Sequence, residues 1–276
     1  MSTVAIEMPD IRTIEPDLEV PELSNQPAAA GLRVLQKHPD WNLDHVLYLP
    51  SDWKPNDDRK LPVFVELPGN GGYKNNIGDE CGGRPEGCKL GYGISGGEGF
   101  IWVSLPFVNA TGDDIAITWC GNKPDHDPKP TVEHIKDVVP WICEKFGGDP
   151  DRVILLGFSR GAIACNYIGL HDDEIAGLWR GFVPYSHYDG VKTWPWPGSD
   201  QTAAADRLKR LGDRPQFICH EKDGVEKTKA YLDGADGNFT FAATGFRNHD
   251  DAWTLRPSEA REKLRTWIKN AAQVSR

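Results

Sequence analysis

The sequence predicts an α/β protein with a mostly parallel central sheet flanked by helices. Three observations predict it. Short β-rich runs alternate along the chain with stretches of helical period. Several of those runs are almost wholly apolar, as strands covered on both faces must be. The chain has 276 residues and 39% hydrophobic content, enough for one sizeable core.

The elements follow in order. Residues 1–30 are acidic, proline-bearing and without periodicity, and read as an arm that either wraps the body or stays mobile. Residues 31–276 read as a single domain. Strands are expected at 45–50 (HVLYLP), 61–67 (LPVFVEL), 100–107 (FIWVSLPF), 152–158 (RVILLGF), 181–186 (GFVPYS), 216–220 (QFICH) and 239–244 (FTFAAT). Over 131–147, Val132, Ile135, Val138, Val139, Ile142 and Phe146 share one helical face, with Gly147 and Gly148 as the stop. Pro140 within that pattern predicts a kink. A closing helix over 257–273 starts at Pro257 and carries Leu264, Trp267 and Ile268 on one side. Residues 69–99 read as a long glycine-rich loop. Within it GYGISG (91–96) fits a GxGxxG pattern, but it precedes a strand, where the dinucleotide fingerprint follows one.

Charge and cysteine content narrow the partners. With 31 basic and 41 acidic residues the formal charge is −10, which repels nucleic acid and anionic membrane surfaces. No run of 18 apolar residues occurs, and the first residues lack the basic start and apolar stretch of a signal peptide. The chain thus reads as soluble, secreted or periplasmic only if a leader was removed. Cysteines at 81, 88, 120, 143, 165 and 219 form no CxxC pair, so no metal site is expected. Cys143, Cys165 and Cys219 read as buried thiols, while Cys81 and Cys88 would be placed to pair in an exported protein. Asp125, His126 and Asp127 lie in a proline-rich loop with no further ligand spacing, and read as capping and solvated groups.

Chemistry concentrates around GFSRG (157–161). The apolar strand RVILLGF runs directly into Ser159, and the small residues GAIAC open a helix after it. That strand, turn and helix context is the one a GxSxG nucleophile elbow requires, because small flanking residues let the backbone tighten and expose the serine oxygen above the sheet. A serine needs a base and a group to orient it, here in the order Ser, Asp or Glu, His. His249, on the loop after the last strand, is the base; His171, His187 and His220 are its rivals. Asp223, on the loop beyond QFICH, leads for the acid, with Glu221 and Asp233 as alternatives. Asp250 and Asp251 read as capping or solvated. The backbone N–H groups of Arg160 and of Asn70, in the loop after LPVFVEL, are the expected oxyanion donors. Tyr185, Tyr188, Trp194 and Trp196, in and after the strand at 181–186, read either as an aromatic wall for substrate rings or as loop packing.

The segments ELPGNGG, VVPWICEKFGGDPDRVILLGFSRGA, the EKDG loop and HDDAW, spread over residues 45–270, resemble the α/β-hydrolase fold. Within it they are similar to polyhydroxybutyrate depolymerase-like and feruloyl esterase-like enzymes. Two positions depart from that pattern: Pro68 stands where many relatives have histidine before the oxyanion-loop glycine, and Arg160 follows the serine, a pair similar to the elbow of glucuronoyl esterases. The resemblance implies a serine carboxylic ester hydrolase that needs no cofactor. The ten tryptophans favour short-chain or carbohydrate-linked esters, acetyl or feruloyl, as substrates, in small-molecule or polysaccharide form. A polyester depolymerase or an acyltransferase with the same triad, and a non-catalytic carbohydrate-binding protein, are the other readings. The sequence leaves the oligomeric state open.

Overall fold

A computed structural model describes residues 8–124, 126–222 and 224–273. Its thirteen strands are β1 (Leu23–Ser24), β2 (Arg33–Lys37), β3 (Asp44–Tyr48), β4 (Leu61–Leu67), the ribbon of β5 (Tyr73–Lys74) and β6 (Glu80–Cys81), β7 (Ile101–Ser104), the ribbon of β8 (Phe107–Val108) and β9 (Ile115–Ala116), β10 (Gly148–Phe158), β11 (Gly181–Tyr185), β12 (Pro215–His220) and β13 (Asn238–Ala243). The α-helices are α1 (Leu90–Ser95), α2 (Lys129–Phe146), α3 (Arg160–Tyr167), α4 (Asp173–Ala176), α5 (Gln201–Leu208), α6 (Gly224–Tyr231) and α7 (Glu259–Gln273). Nine strands form one sheet in the order β1-β2-β3-β7-β4-β10-β11-β12-β13. All neighbours are parallel except β3, which runs against β2 and β7.

Period-two alternation sorts the apolar strand residues onto the two faces. Val63, Val65 and Leu67 of β4 and Val153 and Leu155 of β10 join one core, which also holds the apolar side of α2 and Ile163 of α3. Phe64, Ile154, Leu156 and Val183 join the other, with Leu90 and Ile94 of α1 and Leu264 and Ile268 of α7. This explains why LPVFVEL is buried throughout. Its one charged member, Glu66, is fully buried yet satisfied: it accepts from the backbone N–H groups of Lys89, Leu90 and Gly91 and from Trp102 Nε1. Burial, with Asp251 adding to it, pushes its carboxyl up to about 7.

Several expectations need correction. The stretch 69–99 is not all loop, because GYGISG is most of α1, its glycines packed so closely that a Cβ at either Gly91 or Gly93 would strike Trp102 or Thr254. The expected strand 100–107 divides into β7 and β8, with Pro106, which has no N–H for a ladder, between them. Helix α2 runs through Pro140 as one element: that residue is exposed, so the hydrogen bond it lacks lies on the solvent side. Strand β2, next to the short edge strand β1, was not anticipated, since RVLQK buries little beyond Arg33 and Val34. Cys81 and Cys88 are both free thiols.

The arm is ordered along the body over its described part. Ile11 is buried, its N–H donating to Asn248 Oδ1 at 2.8 Å. Asp10 pairs with Arg247 at 2.8 Å and Asp17 with Arg261 at 2.5 Å. No described helix is long and apolar enough to cross a membrane.

Candidate active site

Strand β10 ends at Phe158, and the chain turns at Ser159 with φ 54 and ψ −113 before α3 begins at Arg160. Left-handed backbone at a non-glycine residue costs energy and survives where surrounding structure enforces it. Here the enforcement is steric. A Cβ at Gly157 would collide with the carbonyl of Gly161, and one at Gly161 with the carbonyl of Leu67. Only glycine at both positions lets strand, turn and helix approach this closely. The Ser159 N–H donates to the Tyr185 carbonyl at 2.9 Å, which ties the turn to β11.

The Ser159 hydroxyl lies 2.8 Å from His249 Nε2. On the far side of the ring, His249 Nδ1 lies 2.8 Å from Glu221 Oε1 and 2.7 Å from Ser186 Oγ. Ser186 Oγ in turn donates to Glu221 Oε1 at 3.0 Å. Both His249 and Glu221 are largely buried. Burial works to raise the Glu221 carboxyl, but hydrogen bonding and charge attraction from His249 outweigh it, and Glu221 sits below the ordinary carboxylate value. The histidine loop is anchored from below: Asp79, itself buried, accepts from the His249 N–H at 2.9 Å and from Asn248 Nδ2 at 2.7 Å.

For the acid, the sequence put Asp223 first, with Glu221 and Asp233 as alternatives. Asp223 lies outside the described residues, and the carboxylate at His249 Nδ1 belongs to Glu221, the first residue past β12. Asp233 is exposed beyond α6. The rival histidines are engaged elsewhere: His220 Nε2 meets Thr228 Oγ1 at 3.1 Å, His171 meets Asp172, and burial pushes His187 down to about 3, leaving it neutral. Asp250 caps the turn that follows, bonding the Ala252 N–H, whereas Asp251 is buried and paired with Lys89 at 2.7 Å rather than solvated.

Ser159 opens onto a cleft of ≈ 1110 Å³. Asn70 and Arg160 both line it, as do Tyr188 and Trp194. The N–H of Gly71 is committed to the Ile117 carbonyl at 3.0 Å. The aromatic wall is smaller than expected. Tyr185 is wholly buried, because β11 turns its ring into the core on the α7 side, where its hydroxyl donates to the Asp250 carbonyl at 3.1 Å. Trp196 is not among the lining residues, and packs instead against His126 with ring centroids 4.2 Å apart and the planes tilted by 34°. Tyr73, whose ring stands 4.9 Å from that of His249, takes a place in the wall that the sequence did not indicate. Ser186 was also missed. Its signal was position: like Ser159, it is the first residue past a parallel strand, and it too has positive φ, 86°.

No protein-family model matches the chain. Among curated proteins, Lipase 2 of Geotrichum candidum is 26% identical over 200 residues, covering 63% of this chain and 34% of the lipase. Esterase S of Drosophila virilis is 31% identical over 134 residues, covering 47% of this chain and 22% of the esterase. The chain therefore spans 34% and 22% of the length of these two relatives. Among solved structures, an S-formylglutathione hydrolase from Agrobacterium tumefaciens superposes with a TM-score of 0.56 at 15% identity, over 91% of this chain and 98% of that one. The feruloyl esterase module from Clostridium thermocellum gives 0.51 at 16%, over 92% and 94%. Sheet order, elbow and neighbours together show the α/β-hydrolase fold, and the curated proteins to which the chain is similar are an esterase and a lipase.

Proposed function

We propose that the protein is a serine carboxylic ester hydrolase working through Ser159, His249 and Glu221. The observation that carries this reading is the continuous relay from Ser159 Oγ to His249 Nε2 and from His249 Nδ1 to Glu221 Oε1, each link 2.8 Å long. Ser159 Oγ attacks the ester carbonyl while His249 Nε2 takes its proton, and Glu221 stabilises the imidazolium and holds its tautomer. The backbone N–H groups of Arg160 and Asn70 donate to the oxyanion, the former at the positive end of α3. Collapse expels the alcohol, protonated by His249, and water then releases the acyl group by the same route in reverse.

Trp194, Tyr73 and Tyr188 in a cleft of ≈ 1110 Å³ support a substrate with a ring in its acyl or alcohol part, such as a feruloyl or acetylated sugar ester. Hydrolysis of p-nitrophenyl acetate and methyl ferulate by the native protein and by Ser159→Ala tests the reading. Turnover that vanishes in the variant is the expected result. Equal turnover in both would remove Ser159 from the reaction.

A further inference from the structure

The cleft is electrostatically unlike the rest of the molecule. The chain carries a formal charge of −10, yet among the described residues that line the cleft the only carboxylate is Glu221, which is occupied by His249. Against it stand Arg160, Lys192, Lys222, Lys227 and Arg247. Arg247 is neutralised by Asp10, but two of the others are gathered with no such partner. The Arg160 guanidinium carbon lies 3.6 Å from the centroid of the Trp194 ring and 5.0 Å from that of Trp119. The Lys192 ammonium lies 4.1 Å from the same Trp194 ring.

Two cations held against one indole repel each other. Among the described residues neither makes an ion pair with a carboxylate, and Arg160 Nη1 is buried with no hydrogen-bond partner. Burial also pulls the Arg160 guanidinium down to about 10, the mark of a charge stripped of water without a counter-ion. Cation–π contact with the tryptophans offsets part of that cost, but it leaves Nη1 without a hydrogen-bond partner and the charge without a counter-ion. A bound carboxylate would supply the counter-ion, and would relieve the repulsion between the two cations.

Resting on the hydrolase reading above, we propose that the cleft selects esters carrying a free carboxylate on the acyl or the alcohol side, held between Arg160 and Lys192 beside the face of Trp194. A hydrogen bond from a charged, partly desolvated donor gives roughly tenfold to hundredfold discrimination against a neutral isostere.

The test compares matched pairs of esters by kcat/KM. On the acyl side, mono-p-nitrophenyl adipate is set against p-nitrophenyl hexanoate; on the alcohol side, para-acetoxyphenylacetate against para-tolyl acetate. The anionic member is expected to win by about tenfold or more in one pair, which also identifies the side that carries the charge. Lys192→Gln, at an exposed position, and Arg160→Gln should each shrink that ratio, chiefly through KM, and high salt should shrink it in the native protein. Ratios at or below one in both pairs, or a ratio untouched by both variants, overturn the proposal while leaving the hydrolase intact. If no ester of either kind is turned over, it is the hydrolase reading that fails. Calorimetric titration with free adipate and para-hydroxyphenylacetate then decides the subsite: binding lost in both variants sustains it, and absence of binding overturns it.

Discussion

Replacing Glu221 by glutamine isolates the charge of the acid from its geometry. Glu221 Oε1 accepts from both His249 and Ser186, while Oε2 is buried without a partner. A glutamine can therefore leave its carbonyl oxygen where Oε1 stands, still accepting the Nδ1–H, with its amide group in the position that bonded nothing. The tautomer that keeps Nε2 free to take the serine proton survives, and only the attraction between carboxylate and imidazolium is lost. At an effective dielectric of about 20 and a charge separation near 4 Å that attraction is about 4 kcal/mol. It corresponds to a fall in kcat of about a thousandfold. This is smaller than the roughly 10⁴-fold loss known for a serine-protease triad in which the Asp→Asn change reverses the tautomer. The assay is steady-state hydrolysis of p-nitrophenyl acetate, with the variant's melting temperature checked against the native protein. Activity in Glu221→Gln within tenfold of native, or a loss as large in Asp223→Asn, would refute the reasoning and return the acid role to Asp223.

Two other expectations follow from the same network and from the buried carboxyls. Ser186→Ala removes the hydroxyl that donates to Glu221 and lies 2.7 Å from His249 Nδ1; the cost of one such bond, about 1–2 kcal/mol, should lower kcat about tenfold with KM little changed, whereas a change in KM alone would show that Ser186 contacts substrate instead. Burial, as the largest cause, raises Glu66 to about 7 and Asp251 to about 6. A carboxyl raised in the folded state contributes stability that is fully present below its unfolded pKa and lost as pH rises through the folded one. Buried histidines held neutral, His187 among them, act in the opposite sense over this range, so the measurement is a difference: the melting temperature of the native protein minus that of Glu66→Gln should fall by several degrees between about pH 4.5 and 7.5. A difference that grows across that range would contradict the assignment.

What the sequence made legible was whatever a local pattern dictates. Apolar runs with flanking turns marked β4, β10, β11, β12 and β13 to within a few residues, because strands buried on both faces have no choice but to be apolar. The glycines around Ser159 were legible for a steric reason that the structure makes explicit: both neighbours of the turn would collide with backbone if they carried a Cβ. The errors came where the deciding contact is distant in sequence. GYGISG reads as loop because glycine is a poor helix former, yet α1 forms around the buried Glu66, which bonds its first N–H groups from 24 and 25 residues away. Tyr185 reads as a surface aromatic because nothing local reveals which face of β11 it occupies. Asp79, which holds the histidine loop from 170 residues away, has no sequence signal at all.

The meeting of Glu221 with His249 follows from the sheet itself. Strands β10, β11, β12 and β13 are consecutive, parallel neighbours, and the site is assembled at their common C-terminal edge. Phe158 pairs with Tyr185, and Tyr185 with Cys219, so the next residues along, Ser159, Ser186 and His220, fall in one row across the sheet. The backbone confirms the row, for the Ser159 N–H bonds the Tyr185 carbonyl and the Ser186 N–H bonds the Cys219 carbonyl at 2.8 Å. Adjacent strands lie about 4.8 Å apart, so a histidine ring descending from the loop after β13 meets groups that stand in this row or one residue beyond it. Glu221 is one residue beyond, and its Oε1 lies 2.8 Å from His249 Nδ1. Register between neighbouring strands, which no local stretch of sequence displays, is therefore what brings a carboxylate from the end of β12 to a histidine from the loop after β13.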